Sequence, residues 1–252
     1  MRGFSLVELL VALVICSIIS AAIGAMVPSS RAAFEQAPAA LELQQRGRTA
    51  LDAIAQAVRS AGIIDAVPPL LLSGPDPSGE RFTRLLAIAR TLHAAEGTLG
   101  ADQQGPSGDL VLSESSCPAV PDVCGFLRGA SVVIADGAGR FDVFTVAATN
   151  HGSNSVSSSM SFDEPYPSGS LVVEVEAHTF RLDAQPDGSK TLVRETAAGA
   201  IQPIVDHVAG LSFHASGGPL EMNLILHAVP SAASARIADR AFRGEVFLRN
   251  RR

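Results

Sequence analysis

One acidic side chain stands inside an otherwise apolar run near the start of the chain. Residues 4–27 contain a single charged residue, Glu8. A carboxylate in a hydrocarbon environment costs several kcal/mol unless something pairs with it. The presence of Glu8 in this run therefore needs a chemical reason, and a cationic partner would supply one.

Two of the three cysteines could form a covalent cross-link. Cys117 and Cys124 are the ends of the short sequence CPAVPDVC. The absence of a nearby histidine or further cysteine argues against a zinc site. If this segment lies outside the cytoplasm, we expect a disulfide, which would stabilise the fold by roughly 2–3 kcal/mol in the chain-entropy model. Cys16 lies in the apolar run, where it behaves as a small hydrophobic residue.

Sequence patterns of catalysis and metal binding do not occur in the chain. There is no HExxH, no GxSxG, no glycine-rich phosphate loop and no EF-hand pattern. Asp136 and Asp187 are in turn sequences, where aspartate accepts hydrogen bonds from the backbone. We therefore expect a protein that is not an enzyme and that has no metal and no cofactor. The six histidines are scattered without ligand spacing, and His178 and His214, which are in strand-like segments, are interpreted as structural. The others are His93, His151, His207 and His227.

The chain length limits the number of domains, and the net charge limits the class of binding partner. The chain has 252 residues, which is enough for an anchor and one good-sized domain. The net charge of −6 argues against a nucleic-acid surface, so we expect no DNA binding. The basic cluster at the end, Arg249, Arg251 and Arg252, is interpreted as a solvated terminus.

The apolar run is long enough to cross a membrane. As a helix, 24 residues at about 1.5 Å each reach some 36 Å. A cleaved secretory signal would have small residues before the cut, which Ser20, Ala21 and Ala22 could supply, but its apolar stretch would be shorter and uncharged. A plain signal anchor fits the length but leaves Glu8 unexplained.

A third interpretation accounts for both the length and the glutamate. The sequence GFSLVE, residues 3–8, resembles the class III signal of type IV pilins and type II secretion pseudopilins. The resemblance implies that a prepilin peptidase cuts after Gly3 and N-methylates Phe4. Glu8 then becomes the fifth mature residue, where the family has its glutamate. Residues 1–3 would be the leader and residues 4–27 the membrane and filament-core helix.

The resemblance also implies a role for Glu8. Cleavage creates an α-amino cation at Phe4, and the Glu8 carboxylate of a neighbouring subunit can pair with it. Because an unpaired charge is strongly penalised in a low dielectric, this pairing would favour docking and fix the register between subunits. The partners would be prepilin peptidase, other pilins or minor pilins, and the inner membrane, with the N-terminus cytoplasmic.

A second helical segment is predicted after the membrane run. Pro28 removes a backbone donor and is expected to kink or loosen the helix. In LELQQRGRTALDAIAQAVRSAGI the residues Leu51, Ile54, Val58 and Ala61 form one apolar face, followed by Gly62 as a C-terminal cap. We expect residues 28–64 to be an amphipathic extension of the helix that lies on a sheet.

The rest of the chain, residues 65–252, is predicted to be a mainly β periplasmic or extracellular domain. PPLLLSGPDPSGERF is predicted to be a connection, TRLLAIARTLHAAEG either a short helix or a strand pair, and GSNSVSSS an exposed loop or edge. From Asp109 onward, short segments rich in β-branched and aromatic residues alternate with turns, including DGAG at 136–139 and PDG at 186–188. A helix on an antiparallel sheet is an α+β fold, and this is also the pilin architecture.

The helix segment and the late strands give a looser family resemblance. LELQQRGRTALDAIAQAVRSAGI, TLVRE, IQPIVDHVAGLSFHA and FRGEVFLRN are similar to segments of PilW-like minor pilins and J-type minor pseudopilins. This resemblance implies a minor pilin-like subunit that acts in pilus assembly initiation or at the tip. A minor pseudopilin of type II secretion and a membrane-anchored periplasmic binding or adhesion module that never polymerises remain as alternatives.

Overall fold

The computed structural model describes residues 6–62, 64, 67–75, 81–103, 108–113, 123–215, 218–230 and 237–248, and for residues 25–36 the backbone alone. In this part the chain forms one long N-terminal helix, a short 3-10 turn at Val123–Gly125 and thirteen strands. The helix lies against a large antiparallel sheet. The predicted α+β class is therefore confirmed at the level of helix and sheet.

Helix α1 spans Leu6–Ser60, 55 residues, or about 82 Å at 1.5 Å per residue. It continues through Pro28, so the proline does not end the helix, although it removes one backbone donor. Ile54 and Val58 are completely buried against the sheet and Leu51 is half-buried there. This confirms the predicted apolar face of the second helical segment.

Gly62 ends the helical region in a different way from the one predicted. Its φ of 118° suits glycine, as expected for a residue after a helix. Its amide, however, donates to the carbonyl of Ile88 at 3.0 Å, while the last helical bond runs from the Ala61 amide to the Ala57 carbonyl. Gly62 therefore joins the chain to the sheet and does not cap the helix carbonyls.

The strands follow the helix along the chain. They are β1 Leu70–Pro75, β2 Phe82–Arg90, β3 Glu96–Thr98, β4 Asp109–Val111, β5 Ser131–Ala135, β6 Phe141–Asn150, β7 Ser155–Ser158, β8 Leu171–Ala184, β9 Lys190–Thr196, β10 Ile201–Val205, β11 Val208–Ala215, β12 Leu220–Leu226 and β13 Arg240–Val246.

All pairs between these strands are antiparallel. The main order is β13-β12-β11-β2-β8-β5-β6-β7-β4, and β1 pairs with β2, β3 and β9 pair with β8, and β10 pairs with β9. The 14-residue strand β8 joins the two ends of the sheet, because β2 and β9 pair with its second half and β5 with its first. Seven of these twelve pairs join consecutive strands and five do not, so local turns alone could not give the order of the whole sheet.

The two faces of the sheet are covered differently. Leu85 of β2 and Phe180 of β8 are fully buried under α1, in the same cluster as Ile54 and Val58. The alternate residues, such as Leu86 and Ala177, point to the opposite face, where several apolar side chains are half-buried. One face of the sheet thus receives the helix and the other does not.

Several local predictions are corrected by the strands. For TRLLAIARTLHAAEG the strand alternative holds, because it contains most of β2 and the start of β3, whereas PPLLLSGPDPSGERF, predicted as a connection, contains strand β1. GSNSVSSS contains β7, which lies between β6 and β4 with Val156 completely buried. A serine-rich segment resembles a loop in sequence, but the backbone of β7 is paired with a strand on each side.

Both predicted hairpin turns are confirmed. The Asp136 Oδ1 accepts hydrogen bonds from the amides of Ala138 and Arg140 at 2.8 and 3.1 Å, between β5 and β6. The Asp187 Oδ1 accepts one from the Ser189 amide at 2.9 Å, between β8 and β9. In each turn an aspartate satisfies backbone donors, as the sequence indicated.

Candidate assembly site

The first third of α1 is apolar and makes no contact that buries it. Leu6–Gly24 has a mean hydropathy of 2.7, and none of these 19 residues is buried. Large side chains are exposed on every side of the helix, from Leu6 at 76% to Ile15 at 51%. A helix that is apolar all round is stable only in lipid or among other apolar helices. This segment is therefore the candidate site of membrane insertion and subunit contact.

Glu8 is exposed in the first turn of α1. A carboxylate is favoured there by the partial positive charge of the helix N-terminus. One turn further along the same face are Val11 and Ala12, so the carboxylate is placed on an apolar surface. Gly3 and Phe4, the predicted cleavage and methylation residues, lie outside the described residues, and their roles stay predictions.

Two small polar side chains in the apolar segment fit a lipid environment. The Ser17 hydroxyl donates to the Val14 carbonyl at 2.8 Å, so its hydrogen bond is satisfied within the helix. Cys16 is exposed and has a free thiol. Neither residue interrupts the helix or adds charge.

The second half of α1 is fixed to the domain through a glycine contact. A Cβ added at Gly47 would lie 2.5 Å from the Cε1 and Cζ atoms of Phe242 on β13. A similar approach occurs at Gly244, where an added Cβ would be 3.1 Å from Met222 and 3.5 Å from Leu51. Glycine on the helix at one point and on the strand at the other thus allows close packing. Sequence reasoning did not identify either position.

A polar contact reinforces this junction. The Arg46 guanidinium donates to the carbonyl of Asp206 and, at 2.6 Å, to its carboxylate. The Arg46 side chain is only 14% exposed, whereas that of Asp206 is 59% exposed. Asp206 follows β10, so the contact joins the helix to the sheet beside the glycine contact. The helical pattern of the sequence places Arg46 largely on the side opposite the apolar face, and the structure corrects this expectation.

Cys124 lies in the 3-10 turn at Val123–Gly125. Its Sγ would be 3.2 Å from a Cβ added at Gly97, and it packs against the apolar cluster that contains Phe126. Cys117 lies outside the described residues, so the pairing of Cys117 with Cys124 stays a prediction.

A buried tyrosine forms the centre of a polar cluster that the sequence did not indicate. Tyr166 is completely buried, and its hydroxyl donates to the Asp142 carboxylate at 2.8 Å. The Arg140 guanidinium lies 4.2 Å from the centre of its ring, and Arg140 also pairs with Glu164 at 2.9 Å. Burial, followed by the hydrogen bond to Asp142, raises the pKa of Tyr166. The only available signal was that the chain has one tyrosine.

The predicted structural role of His178 is supported by a hydrogen bond. Its Nε2 is 2.9 Å from the Glu176 carboxylate on the same strand. Across the described ranges, histidine, cysteine, aspartate and glutamate do not gather in groups of three or more that could hold a metal ion.

Residues 1–24 match the family model of the prokaryotic N-terminal methylation motif. Comparison of the chain with curated proteins and with solved structures gave no match. The match confirms the predicted prepilin-like signal. Together with the exposed apolar helix, it indicates a type IV pilin-like, membrane-anchored single-pass protein that is processed as a prepilin. The motif implies processing by prepilin peptidase and association with other pilins.

Proposed function

We propose that the protein is a minor pilin-like subunit of a type IV filament, acting in assembly initiation or at the tip. The observation that carries this proposal is the single helix α1. Its apolar first part is fully exposed and carries the methylation motif, and its second part is fixed to a β-domain. Such a chain can contribute a helix to a filament core while its domain faces outward.

In this proposal Glu8 directs docking between subunits. Prepilin peptidase cuts after Gly3 and methylates Phe4, which leaves an α-amino cation at the start of the mature chain. The Glu8 carboxylate of one subunit pairs with the Phe4 amine of its neighbour in a low-dielectric environment. Removal of either charge leaves the other without its partner, which is the costly state.

The size of the domain supports a minor role. The chain has 252 residues and a sheet of thirteen described strands, which is large for a subunit that repeats along a whole filament. A minor pseudopilin of type II secretion would have the same N-terminal signal. Deletion of the gene separates the two, because loss of surface pili supports the pilus role and loss of protein secretion with intact pili supports the pseudopilin role.

N-terminal mass spectrometry of the membrane-extracted protein tests the proposal directly. We expect a chain that begins with methylated Phe4. A chain that begins after Ala22 would identify an ordinary secretory signal, and an intact Met1 would identify an unprocessed anchor; both results would overturn the proposal. Incorporation is then measured by the amount of the protein in sheared filaments, where an anchored module that never polymerises would be absent.

A further inference from the structure

The sheet face opposite α1 contains an open groove lined by residues of five strands. Its volume is about 670 Å³, within the range of roughly 300–1,000 Å³ that is usual for ligand sites. Apolar side chains form the floor and two arginines lie at one end. We call it the sheet groove, and its principal residues are Leu71, Leu86, Val143, Ala177, Arg84 and Arg181.

The floor of the sheet groove is apolar and open to solvent. Leu71 of β1 and Leu86 of β2 are Cα partners, so their side chains lie next to each other on this face. Both are half-buried, as is Val143. Apolar groups that are left half-exposed in a concave surface gain from a partner that covers them.

The two arginines differ in their partners. The Arg181 Nε donates to the Glu195 carboxylate and its Nη1 to the Asp183 carboxylate, each at 2.8 Å. These hydrogen bonds raise the pKa of Arg181, and the two carboxylates compensate its positive charge. Arg84 is exposed, and within the described ranges no hydrogen bond or ion pair is found for its guanidinium.

The two guanidinium groups enter the groove from adjacent strands. Leu85 and Phe180 are Cα partners, and Arg84 and Arg181 are the next residues of their strands on the opposite face. Like charges placed side by side in a sheet are unfavourable. Because the donors of Arg181 are directed to Glu195 and Asp183, Arg84 is the guanidinium of the groove that has donors left for a further carboxylate.

The spacing between floor and arginine corresponds to an extended peptide. Arg84 and Leu86 are two residues apart on one strand, roughly 6.6 Å. Side chains i and i+2 of an extended peptide have the same spacing and the same direction. An open groove suits a chain that lies along it better than a small molecule, which needs enclosure on most sides.

We propose that the sheet groove binds an extended polypeptide segment of another protein, with an apolar side chain on Leu71 and Leu86 and a carboxylate two residues away on Arg84. The proposal does not rest on the proposed function, because its argument uses only groove residues and none of them belongs to α1.

The test uses the full chain in detergent micelles and fluorescence anisotropy with a positional-scanning library of labelled hexapeptides. We expect selection of aspartate or glutamate two positions from an apolar residue. Arg84→Gln should weaken binding of the selected peptide about tenfold, the size expected for one charge-assisted hydrogen bond. Arg84→Glu should shift the preference to lysine or arginine at that position. The matched control is Arg48→Glu, an exposed arginine of α1 outside the groove, which should change neither.

Three results would overturn the proposal. These are the absence of saturable peptide binding, an acidic preference that is unchanged in Arg84→Glu, and equal losses in Arg84→Glu and Arg48→Glu. Binding to vesicles of phosphatidylglycerol and phosphatidylcholine in equal parts is measured in parallel. If Arg84→Gln reduces vesicle binding while no peptide is selected, the face contacts a membrane and the peptide assignment is wrong. Circular dichroism and thermal unfolding verify that each variant is folded.

Discussion

Gly47 of α1 and Phe242 of β13 are in direct contact, with the ring edge filling the space where a side chain at position 47 would begin. Phe242 packs against the apolar cluster between helix and sheet. The contact lies one residue from Arg46, whose guanidinium holds Asp206. These two adjacent positions of the helix therefore fix its distance and its rotation relative to the domain.

Gly47→Ala should destabilise the domain by about 1 kcal/mol. The new Cβ forces a shift of the Phe242 ring, at a cost of about 1–3 kcal/mol, which exceeds the helix-propensity gain of about 1 kcal/mol. Urea unfolding followed by circular dichroism measures the difference. In a Phe242→Ala background the same substitution should stabilise the domain, because only the propensity gain remains. A loss of equal size in both backgrounds would contradict the contact.

Arg46→Ala should lower the free energy of unfolding by about 1 kcal/mol. The variant removes hydrogen bonds to Asp206 from a side chain that is mostly buried, but the partner carboxylate is largely exposed and is screened by solvent. Arg48→Ala, at an exposed position of the same helix, is the control and should be neutral. Equal stabilities of the two variants would show that the Arg46–Asp206 contact does not contribute.

Alkaline pH should destabilise the protein through Tyr166. Because the folded state raises the pKa of its hydroxyl, the unfolded chain releases the proton first, near pH 10. The contribution of this group is therefore complete below about pH 10 and is lost as the pH rises toward the higher folded pKa. At neutral pH, the free energy of unfolding of Tyr166→Phe should be about 1–2 kcal/mol lower than that of the wild type, because the hydrogen bond to Asp142 is lost. Above about pH 10, however, the stability of this variant should fall less than that of the wild type. Since the chain has one tyrosine, tyrosinate absorbance reports this group alone. Identical alkaline profiles for both proteins would rule out the effect.

The predicted disulfide between Cys117 and Cys124 should leave one reactive thiol of three. Denatured, non-reduced protein is expected to take up one equivalent of a thiol label, at Cys16, and reduced protein three. In a Cys117→Ser, Cys124→Ser double variant, the free energy of unfolding should be about 2–3 kcal/mol lower than in the wild type. Cys16→Ser is the control and should be as stable as the wild type. Uptake of three equivalents before reduction would contradict the bond.

Glu8→Gln should insert into the membrane normally but enter filaments less. Insertion depends on the apolar run, whereas docking in the proposed assembly uses the charge. The measurement is the ratio of protein in sheared filaments to protein in the membrane. Glu42→Gln, an exposed glutamate of the same helix beyond the apolar segment, is the matched control and should leave the ratio unchanged. Full incorporation of Glu8→Gln would show that the carboxylate is not needed for docking.

The features that local sequence predicts are those set by short-range physics. The spacing of Ile54 and Val58 predicted the buried helix face, and the aspartates at 136 and 187 predicted two turns. Strand β1 was missed because its leucines lie between prolines and glycines, and β7 because serine-rich strands resemble loops. The hydrogen bonds that define both strands come from residues elsewhere in the chain.

The assembly site could be recognised from local sequence, whereas the sheet groove could not. The methylation motif is continuous in sequence, so residues 1–24 were sufficient to identify it. The groove combines residues from five strands, and its arginines are neighbours only through the pairing of β2 with β8. The environment of Tyr166 likewise depends on contacts between distant segments, so the residue type alone could not predict it.

The unbroken helix α1 also sets a stand-off between the membrane and the domain. The apolar run of the sequence ends at Val27, and Leu43 is the first of the described side chains of α1 that the domain buries. At 1.5 Å per residue, the helix between them is about 24 Å long. With the apolar run in a membrane, this part of the helix would hold the β-domain at that distance from the bilayer. In the proposed assembly, a partner anchored in the same membrane would then need a stem of similar height to reach the domain.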